Sequence, residues 1–160
     1  CEQHYIDVLK EAVLVDSCCQ IHGAGWPRAA RLNPLLAKNV KSGGAWGLEY
    51  VRLLASAKIG LGLLCKRYPD QFTTRSFEIP ASGAMLLAER TDSHKELFAE
   101  GIEADYFSSI DEMKEKIKFY LNNESRLSSI ASAGQTRCLN EYHWKMVLVP
   151  VNEWIKRHIL

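Results

Sequence analysis

The sequence predicts an α/β fold in which a parallel sheet carries helices on both faces and the C-terminal part is entirely helical. Short apolar runs suited to buried strands alternate with segments of helical periodicity. The connections between them are short, and parallel neighbours require crossovers that place helices on both faces of the sheet. Beyond residue 108 only helical patterns remain. Together these features indicate a Rossmann-like sheet followed by a helical tail.

The length and the charge balance bound the possible functions. A chain of 160 residues buries about two thirds of its unfolded surface, and residues 1–160 are therefore interpreted as one domain. Hydrophobic residues make up 47% and charged residues 24%, which excludes a disordered chain. The 20 basic and 19 acidic residues leave a net charge of +1. This balance argues against a nucleic acid partner, which requires a basic surface.

The cysteine pattern and the hydropathy predict a cytoplasmic location. The cysteines are odd in number and show no C-x-x-C spacing, which favours reduced thiols over a disulfide framework or a metal site. They are Cys1, Cys18, Cys19, Cys65 and Cys138. The longest apolar stretch, residues 59–65, is far shorter than the roughly 20 residues of a membrane span, so no transmembrane segment is expected. Because the chain opens on Cys1 rather than Met, we expect a domain excised from a longer protein.

The N-terminal half contains two helical and two strand-like patterns. Apolar spacing predicts a helix from Tyr5 to Val13, then a short strand over residues 18–21 that ends at a glycine turn. Residues 26–44 have little periodicity and are predicted to form a long loop with at most one short element. Residues 47–55 have helical character, and residues 57–65 form a continuous apolar run typical of a strand buried on both faces.

The middle of the chain continues the alternation. A turn at residues 68–70 precedes a helix that Thr73 or Thr74 caps and that Pro80 kinks or ends, with Gly83 closing the segment. Residues 84–88 and 104–107 are predicted strands, and residues 93–98 between them are a predicted short helix.

Three helices are predicted in the tail. Ser109 and Glu112 fit a capping box at the start of the first helix. A second helix begins at Glu124 or Ser125, and a third apolar stripe, over residues 144–155, is interrupted by Pro150.

Arg75 and Glu78 form the most informative polar pair. Their three-residue spacing places them on one helical face near a helix N-terminus, where backbone N–H groups favour phosphate. A guanidinium binds phosphate oxygens through two N–H groups, and a carboxylate accepts hydrogen bonds from two adjacent sugar hydroxyls. A nucleoside diphosphate contains both a diphosphate and a ribose, so a guanidinium and a carboxylate on one helical face match it. The alternative is a surface ion pair one helical turn apart.

Other polar residues admit two interpretations each. The Gly23-Ala24-Gly25 turn is either a tight turn or a place where a ligand approaches the backbone, with Arg28 facing either an anion or solvent. Asp70 is either a second carboxylate at the same strand end or a turn residue beside Pro69. The histidines are scattered without a Ser or Cys partner at a telling spacing, so neither a catalytic triad nor a metal site is predicted.

The stretch from Phe77 to Leu87, FEIPASGAMLL, resembles the central motif of group 1 glycosyltransferases. The Arg-x-Phe-Glu-x-Pro-Ala form beginning at Arg75 is most similar to the spore-maturation-protein CgeB branch. The resemblance continues downstream through the segment Tyr142-His143-Trp144, and upstream the segment from Ile21 to Pro27 resembles the strand–glycine–tryptophan turn of that family. It therefore spans nearly the whole chain.

The resemblance implies the C-terminal, donor-binding half of a GT-B fold. It implies that Glu78 binds donor ribose hydroxyls, that Arg75 binds phosphate, and that Asp70 lies where the family has a glutamate facing the donor sugar. Ser82 and Gly83 would contribute backbone groups, and Gly25 and Trp26 would line the cleft. No metal and no cofactor is implied, since the nucleotide diphosphate sugar is the substrate.

We therefore expect a donor-binding domain that transfers a sugar to an unidentified acceptor and that is inactive without its N-terminal acceptor-binding domain. The alternative is a non-catalytic module that binds nucleotides or sugar phosphates. A receiver-like scaffold is a third interpretation, but it requires an acidic pocket where this chain has Cys65-Lys66-Arg67.

Overall fold

The computed structural model describes residues 3–41 and 43–159. The helices are α1 (Gln3–Val15), α2 (Trp26–Leu32), α3 (Pro34–Ala37), α4 (Gly47–Ser56), α5 (Arg75–Ala81), α6 (Asp92–Leu97), α7 (Ile110–Asn122), α8 (Glu124–Glu141) and α9 (Trp144–His158). The strands are β1 (Ile59–Gly62), β2 (Met85–Glu89) and β3 (Asp105–Phe107). The reduced thiol predicted for Cys1 lies outside the described residues.

The three strands form a parallel sheet in the order β1-β2-β3. Leu61 pairs with Leu87, and Leu87 pairs in turn with Asp105. All five residues of β2 are buried, as expected for a central strand with an apolar run. The prediction that residues 57–65 form a strand buried on both faces is wrong: β1 is an edge strand of the described sheet, and three of its four residues are only half-buried. The strand is also shorter than the predicted run.

Helices cover both faces of the sheet, as predicted. Alternate residues of β2 point to opposite sides. Leu86 and Ala88 pack with Ile79 of α5 and Cys138 of α8. Leu87 packs on the other face, in a cluster of residues from α1, β3 and α7: Val8, Ala12, Phe107, Met113 and Ile117. The fold class predicted from the sequence is therefore confirmed.

The segment between α1 and α4 differs from its prediction. Instead of a strand over residues 18–21, the structure contains a single parallel bridge between Ile21 and Val40. The Asn39 side-chain amide donates hydrogen bonds to the carbonyl oxygens of Ser17 and Cys19 at 2.9 and 2.8 Å. Two backbone acceptors are thus satisfied by a side chain rather than by a neighbouring strand.

The loop predicted over residues 26–44 contains two short helices, α2 and α3. Pro27 and Pro34 each lie in the first two positions of a helix. Proline is well suited to these positions because its fixed φ is helical and its missing N–H would have no partner there. The prolines that indicated a loop therefore begin helices.

Helix α5 is short and ends in a glycine turn. Thr74 occupies its N-cap position, but its side chain accepts no hydrogen bond from the described residues. Pro80 lies inside the last turn, and the helix ends one residue later. Gly83 follows with φ at +88°, a left-handed conformation that glycine adopts readily.

The predicted capping box of α7 is half formed. Ser109 Oγ accepts the hydrogen bond from the Glu112 N–H at 3.2 Å, as predicted. The Glu112 carboxylate does not return the bond to Ser109: it accepts from the Ser108 N–H at 2.7 Å and from Arg90. The strong charge of Arg90, which follows β2, explains this choice.

The two C-terminal helices differ in how they pack. Helix α8 buries a stripe that includes Leu127, Ile130 and Gly134, whereas none of residues 144–158 in α9 is buried. A Cβ atom at Gly134 would lie 2.2 Å from the carbonyl oxygen of Glu103. No helix of the described residues combines the length and the hydropathy that crossing a membrane requires.

Candidate functional site

A cavity of about 560 Å³ lies along β1, and its wall is formed by the two helices that flank this strand in sequence together with residues of α1, α7 and the segment after α1. Tyr50 of α4 and Arg75 and Ile79 of α5 contribute to its wall, together with Gly60 of β1 and His22. Arg75 is the first residue of α5 and is exposed to solvent. Its guanidinium is therefore the positive group that α5 presents at the cavity.

Glu78 is joined to the cavity wall through Tyr50. The Tyr50 hydroxyl donates a hydrogen bond to Glu78 Oε2 at 2.7 Å. Burial, and then the hydrogen bond to Glu78, raise the pKa of Tyr50 to about 12. Tyr50 is therefore a protonated donor at neutral pH, and it orients a half-buried carboxylate that lies one turn from Arg75. Among the described residues, Glu78 Oε1 has no hydrogen-bond partner.

Arg75 and Glu78 do not form the surface ion pair that was the alternative interpretation of their spacing. Of the ion pairs within residues 3–41 and 43–159, none joins these two side chains. Both charges lie in the first turn of α5, and neither is neutralised by the other. The arrangement leaves a guanidinium and a carboxylate oxygen available on one side of a short helix.

Ser82 and Gly83 lie at the opposite end of α5. The Ser82 hydroxyl donates to the Glu78 carbonyl at 2.8 Å. The Ser82 N–H bonds the carbonyls of Glu78 and Ile79, and the Gly83 N–H bonds that of Pro80. The backbone donors that the resemblance assigns to these two residues are thus occupied within the helix end. Neither residue belongs to the cavity wall.

Asp70, Gly25 and Trp26 also lie outside the cavity wall. Asp70 is half-buried in the turn after β1, where its N–H bonds the Tyr68 carbonyl at 2.8 Å. Gly25 is exposed just before α2. Trp26 packs against a cluster of buried residues from α1, α3 and the segment between α1 and α2: Leu9, Val13, Leu36 and Ile21. Glu78 is likewise not a wall residue and is joined to the wall through its hydrogen bond with Tyr50. Of the predicted site residues, Arg75 is the one that lines the cavity, and Glu78 lies one helical turn from it.

Two features of this region were not found by sequence reasoning. Tyr50 lies 28 residues before its partner Glu78, and no local pattern relates the two positions. His94 was dismissed with the other histidines, yet it is wholly buried and bonded to Ser76 of α5. An argument from topology could have found both, because α4 and α6 directly precede and follow the β1–α5–β2 unit.

Glu89 is a buried carboxylate at the carboxyl end of β2. It accepts hydrogen bonds from the Leu64 N–H and His4 Nε2, both at 2.9 Å, and from Lys66. Burial alone would raise the pKa of Glu89, but the bonds from Lys66, Leu64 and His4 hold it below its usual value. This carboxylate is thus a fixed negative charge that joins β1, β2 and α1. Within the described chain, no three His, Cys, Asp or Glu side chains are grouped so as to hold a metal ion.

The fold and the site define an α/β domain with a charged cavity beside its parallel sheet. The model of a family described as "Glycosyl transferase-like" matches residues 4–150. The chain therefore belongs to this glycosyltransferase-like family, and the resemblance that residues 77–87 carry is confirmed at that level. No curated protein matches the chain.

Solved structures of HepE from Anabaena share the fold. The structure in complex with UDP has a TM-score of 0.72 at 17% identity, and the one with UDP-glucose a TM-score of 0.72 at 16%. The structure with UDP and glucose has a TM-score of 0.70 at 16% identity. The first two matches cover 97% of this chain and 45% of HepE, and the third covers 97% and 44%. The chain thus spans less than half the length of HepE.

Proposed function

We propose that this chain is the donor-binding domain of a GT-B glycosyltransferase of the CgeB-like branch. It binds a nucleotide diphosphate sugar, and the whole protein transfers the sugar to an acceptor. The observation that carries the proposal is the pair Arg75 and Glu78, one helical turn apart beside a cavity, in a chain of the glycosyltransferase-like family. The complexes of HepE with UDP and UDP-glucose support a uridine donor as the first to test.

The two side chains divide the recognition of the donor. The Arg75 guanidinium binds the diphosphate through paired N–H donors. Glu78 Oε1, which is not occupied by Tyr50, accepts a ribose hydroxyl. Tyr50 donates its hydrogen bond to the other carboxylate oxygen, Oε2, and so leaves Oε1 to the ribose hydroxyl.

Catalysis in the whole protein depends on stabilising the diphosphate as it leaves the sugar. Negative charge grows on this group as the bond to the sugar breaks, and the Arg75 guanidinium stabilises it. Closure of a second domain over the cavity excludes water from the reacting sugar. The donor is a substrate, and the proposal includes no further cofactor and no metal. Asp70, Ser82, Gly83, Gly25 and Trp26 are kept as secondary candidates for donor contacts.

The second domain is part of the proposal. HepE has more than half of its length outside the match, which supports an N-terminal acceptor-binding domain in the protein that carries this chain. Helix α9 leaves an apolar face uncovered, and we assign this face to contact with that domain. Its exposed side chains are Trp144, Val147, Leu148, Val151 and Trp154. A cytoplasmic location is proposed for this domain because its cysteines have no C-x-x-C spacing and are expected to be reduced thiols.

Calorimetric titration of the intact protein with UDP, GDP and ADP tests the proposal. One nucleotide should bind saturably. Arg75→Ala and Glu78→Gln should each weaken that binding about 10- to 150-fold, since a hydrogen bond to a charged group contributes about 1.5–3 kcal/mol. Arg31→Ala and Glu49→Gln are the matched controls, because both side chains are exposed and neither lines the cavity.

The outcomes separate the proposal from its alternatives. Binding that resists both site variants would reject the assigned residues, and absence of binding by the folded intact protein would reject the donor site altogether. Binding without sugar release from the corresponding nucleotide sugar would instead support the non-catalytic module.

A further inference from the structure

Ser76 and His94 form a hydrogen-bonded pair beneath the first turn of α5. Both residues have 0% exposure. Ser76 Oγ lies 2.8 Å from His94 Nε2, and His94 Nδ1 lies 2.7 Å from the carbonyl oxygen of Glu89 at the end of β2. The pair therefore connects α5 through α6 to the carboxyl end of the central strand.

Each proton in this pair has one possible place. A carbonyl oxygen only accepts, so His94 Nδ1 carries the proton that bonds Glu89. Burial lowers the pKa of His94, which is therefore neutral, and its Nε2 accepts from the Ser76 hydroxyl. Ser76 Oγ accepts in turn from the Thr73 N–H at 3.1 Å.

The first turn of α6 holds the segment before α5 at a second point. Thr91 Oγ1 donates to the Gln71 carbonyl at 2.7 Å and accepts from the His94 N–H at 3.0 Å. The His94 ring also stacks on Tyr106, with the ring centres 5.4 Å apart and the planes at 9°. The His94 ring is thus held by β2, through the Glu89 carbonyl, and by β3, through Tyr106.

A serine bonded to a histidine is also the pattern of a nucleophile with its general base. That function is excluded here by burial, because neither side chain is exposed and both nitrogens of His94 bond the protein. The pair acts on the position of α5 and not on a substrate.

Helix α5 needs this external support. It has seven residues, and a helix of that length is marginal by itself. Its N-cap residue, Thr74, contributes no side-chain hydrogen bond within the described chain. The bond from the Thr73 N–H to Ser76 Oγ ties the residue before the N-cap to the first turn, and His94 holds that oxygen in place.

We propose that His94 is a positioning residue that, through Ser76, holds Arg75 and Glu78 where they bind the donor. The inference rests on the proposed function of Arg75 and Glu78, since Ser76 lies between them in the same turn. It assigns to α6 a role in nucleotide affinity although α6 lies outside the cavity wall.

The test compares two substitutions of His94 in the intact protein. An asparagine amide reaches the position of imidazole Nδ1, and a glutamine amide that of Nε2. His94→Asn therefore keeps the bond to Glu89 and loses Ser76, whereas His94→Gln keeps an acceptor for Ser76. Ser76→Ala removes the bond from the other side. Tyr142→Phe is the control, because it removes a hydrogen bond of 2.8 Å from the opposite end of α6, at Leu97.

Two readouts are measured on each variant. Nuclear magnetic resonance follows the Arg75 Nε–H and the Glu78 carboxyl carbon without ligand, and calorimetry measures UDP affinity. Ser76→Ala and His94→Asn should shift both resonances and weaken UDP binding about tenfold, as expected when the competent turn is populated about a tenth of the time. His94→Gln should restore most of the affinity, and Tyr142→Phe should change neither readout.

The ligand-free spectra separate this inference from the proposed function. If the spectra follow the expected pattern but the wild type binds no nucleotide, the proposed function fails and the positioning of the two side chains stands. If Ser76→Ala and His94→Asn leave both resonances unchanged, or if glutamine rescues no better than asparagine, the positioning role is overturned.

Discussion

Helices α4 and α5 form two walls of the same cavity but are held in different ways. Helix α5 buries Ser76, Ile79 and Pro80, and Cys138 of α8 donates a hydrogen bond to its Phe77 carbonyl at 3.3 Å. In α4, none of residues 47–56 is buried. Its side chains make one hydrogen bond to another element of the described chain, from Tyr50 to Glu78. One wall is part of the core, and the other rests on its surface.

The difference teaches how rigidity is distributed around the site. Local stability follows buried apolar contacts, so we expect α5 to open at a free energy close to that of global unfolding and α4 to open at a lower one. Arg75 and Glu78 belong to the rigid wall, and Tyr50 belongs to the loose one. We therefore expect α4 to be the part of the site that adjusts when a ligand enters.

Truncating an aliphatic side chain in each wall should give the largest contrast. Ile79 has 2% exposure and Leu48 has 74%. Ile79→Ala should lower the free energy of unfolding by about 2–5 kcal/mol, because it leaves a cavity in the core. Leu48→Ala should change it by less than about 0.5 kcal/mol. Urea unfolding measures both values, and similar losses in the two variants would contradict the contrast between the walls.

Acid should lower the free energy of unfolding through Glu112 of α7, which lies outside both walls. The hydrogen bond from Arg90 is the main cause that lowers the pKa of Glu112 from 4.5 to about 2. A lowered pKa contributes stability above the unfolded value, and this stability is lost as pH falls from about 4.5 to about 2. Glu112→Gln should reduce that acid-induced loss by about 1–2 kcal/mol, allowing for solvent screening.

Urea titrations between pH of about 5 and about 2.5 measure this loss. Glu96→Gln is the control, since Glu96 is exposed. If Glu112→Gln loses as much unfolding free energy on acidification as the wild type, other carboxylates cause the loss.

Alkali should act on the loose wall, with a smaller effect. The pKa of Tyr50 is raised to about 12, first by burial and then by Glu78. A raised pKa contributes stability that is complete below about pH 10 and is lost as pH rises through about 12. Tyr50→Phe should lower the free energy of unfolding by about 0.5–1.5 kcal/mol at neutral pH. The variant should also lose less of this free energy than the wild type as the pH rises above about 10.

Hydrogen exchange tests where that effect is confined. Tyr50→Phe should speed exchange of the amides of α4 while those of α5 keep their rates. Equal acceleration in both helices would mean that Tyr50 supports the whole site and not the loose wall alone.

Regular elements with a strong local pattern could be predicted from the sequence. The apolar run of β2 identified a central strand, and the stripe of α7 identified its helix. The predictions failed where a side chain that is distant in sequence forms the hydrogen bond that a local pattern assigned to another group. Asn39 replaced a strand neighbour for Ser17 and Cys19, and Arg90 diverted Glu112 from its capping bond.

The site was predictable to the extent that it is local. Arg75 and Glu78 are one turn apart in sequence and in structure, and the motif that contains them also indicated the family. Tyr50 and His94 reach this turn from other elements, so their roles depend on how the elements pack. Asp70 stays open between the two interpretations of its sequence position: it lies in the turn after β1, and neither Asp70 nor Glu78 belongs to the cavity wall.

The contact between Gly134 and Glu103 limits how this domain can be engineered. Glycine inside a helix costs about 1 kcal/mol relative to alanine, so replacing it is a standard step toward thermostable variants. Here the added methyl group would lie 2.2 Å from a backbone oxygen, and α8 would have to move away from the sheet. A stabilising design should therefore leave Gly134 unchanged and make its substitutions on the exposed face of α4.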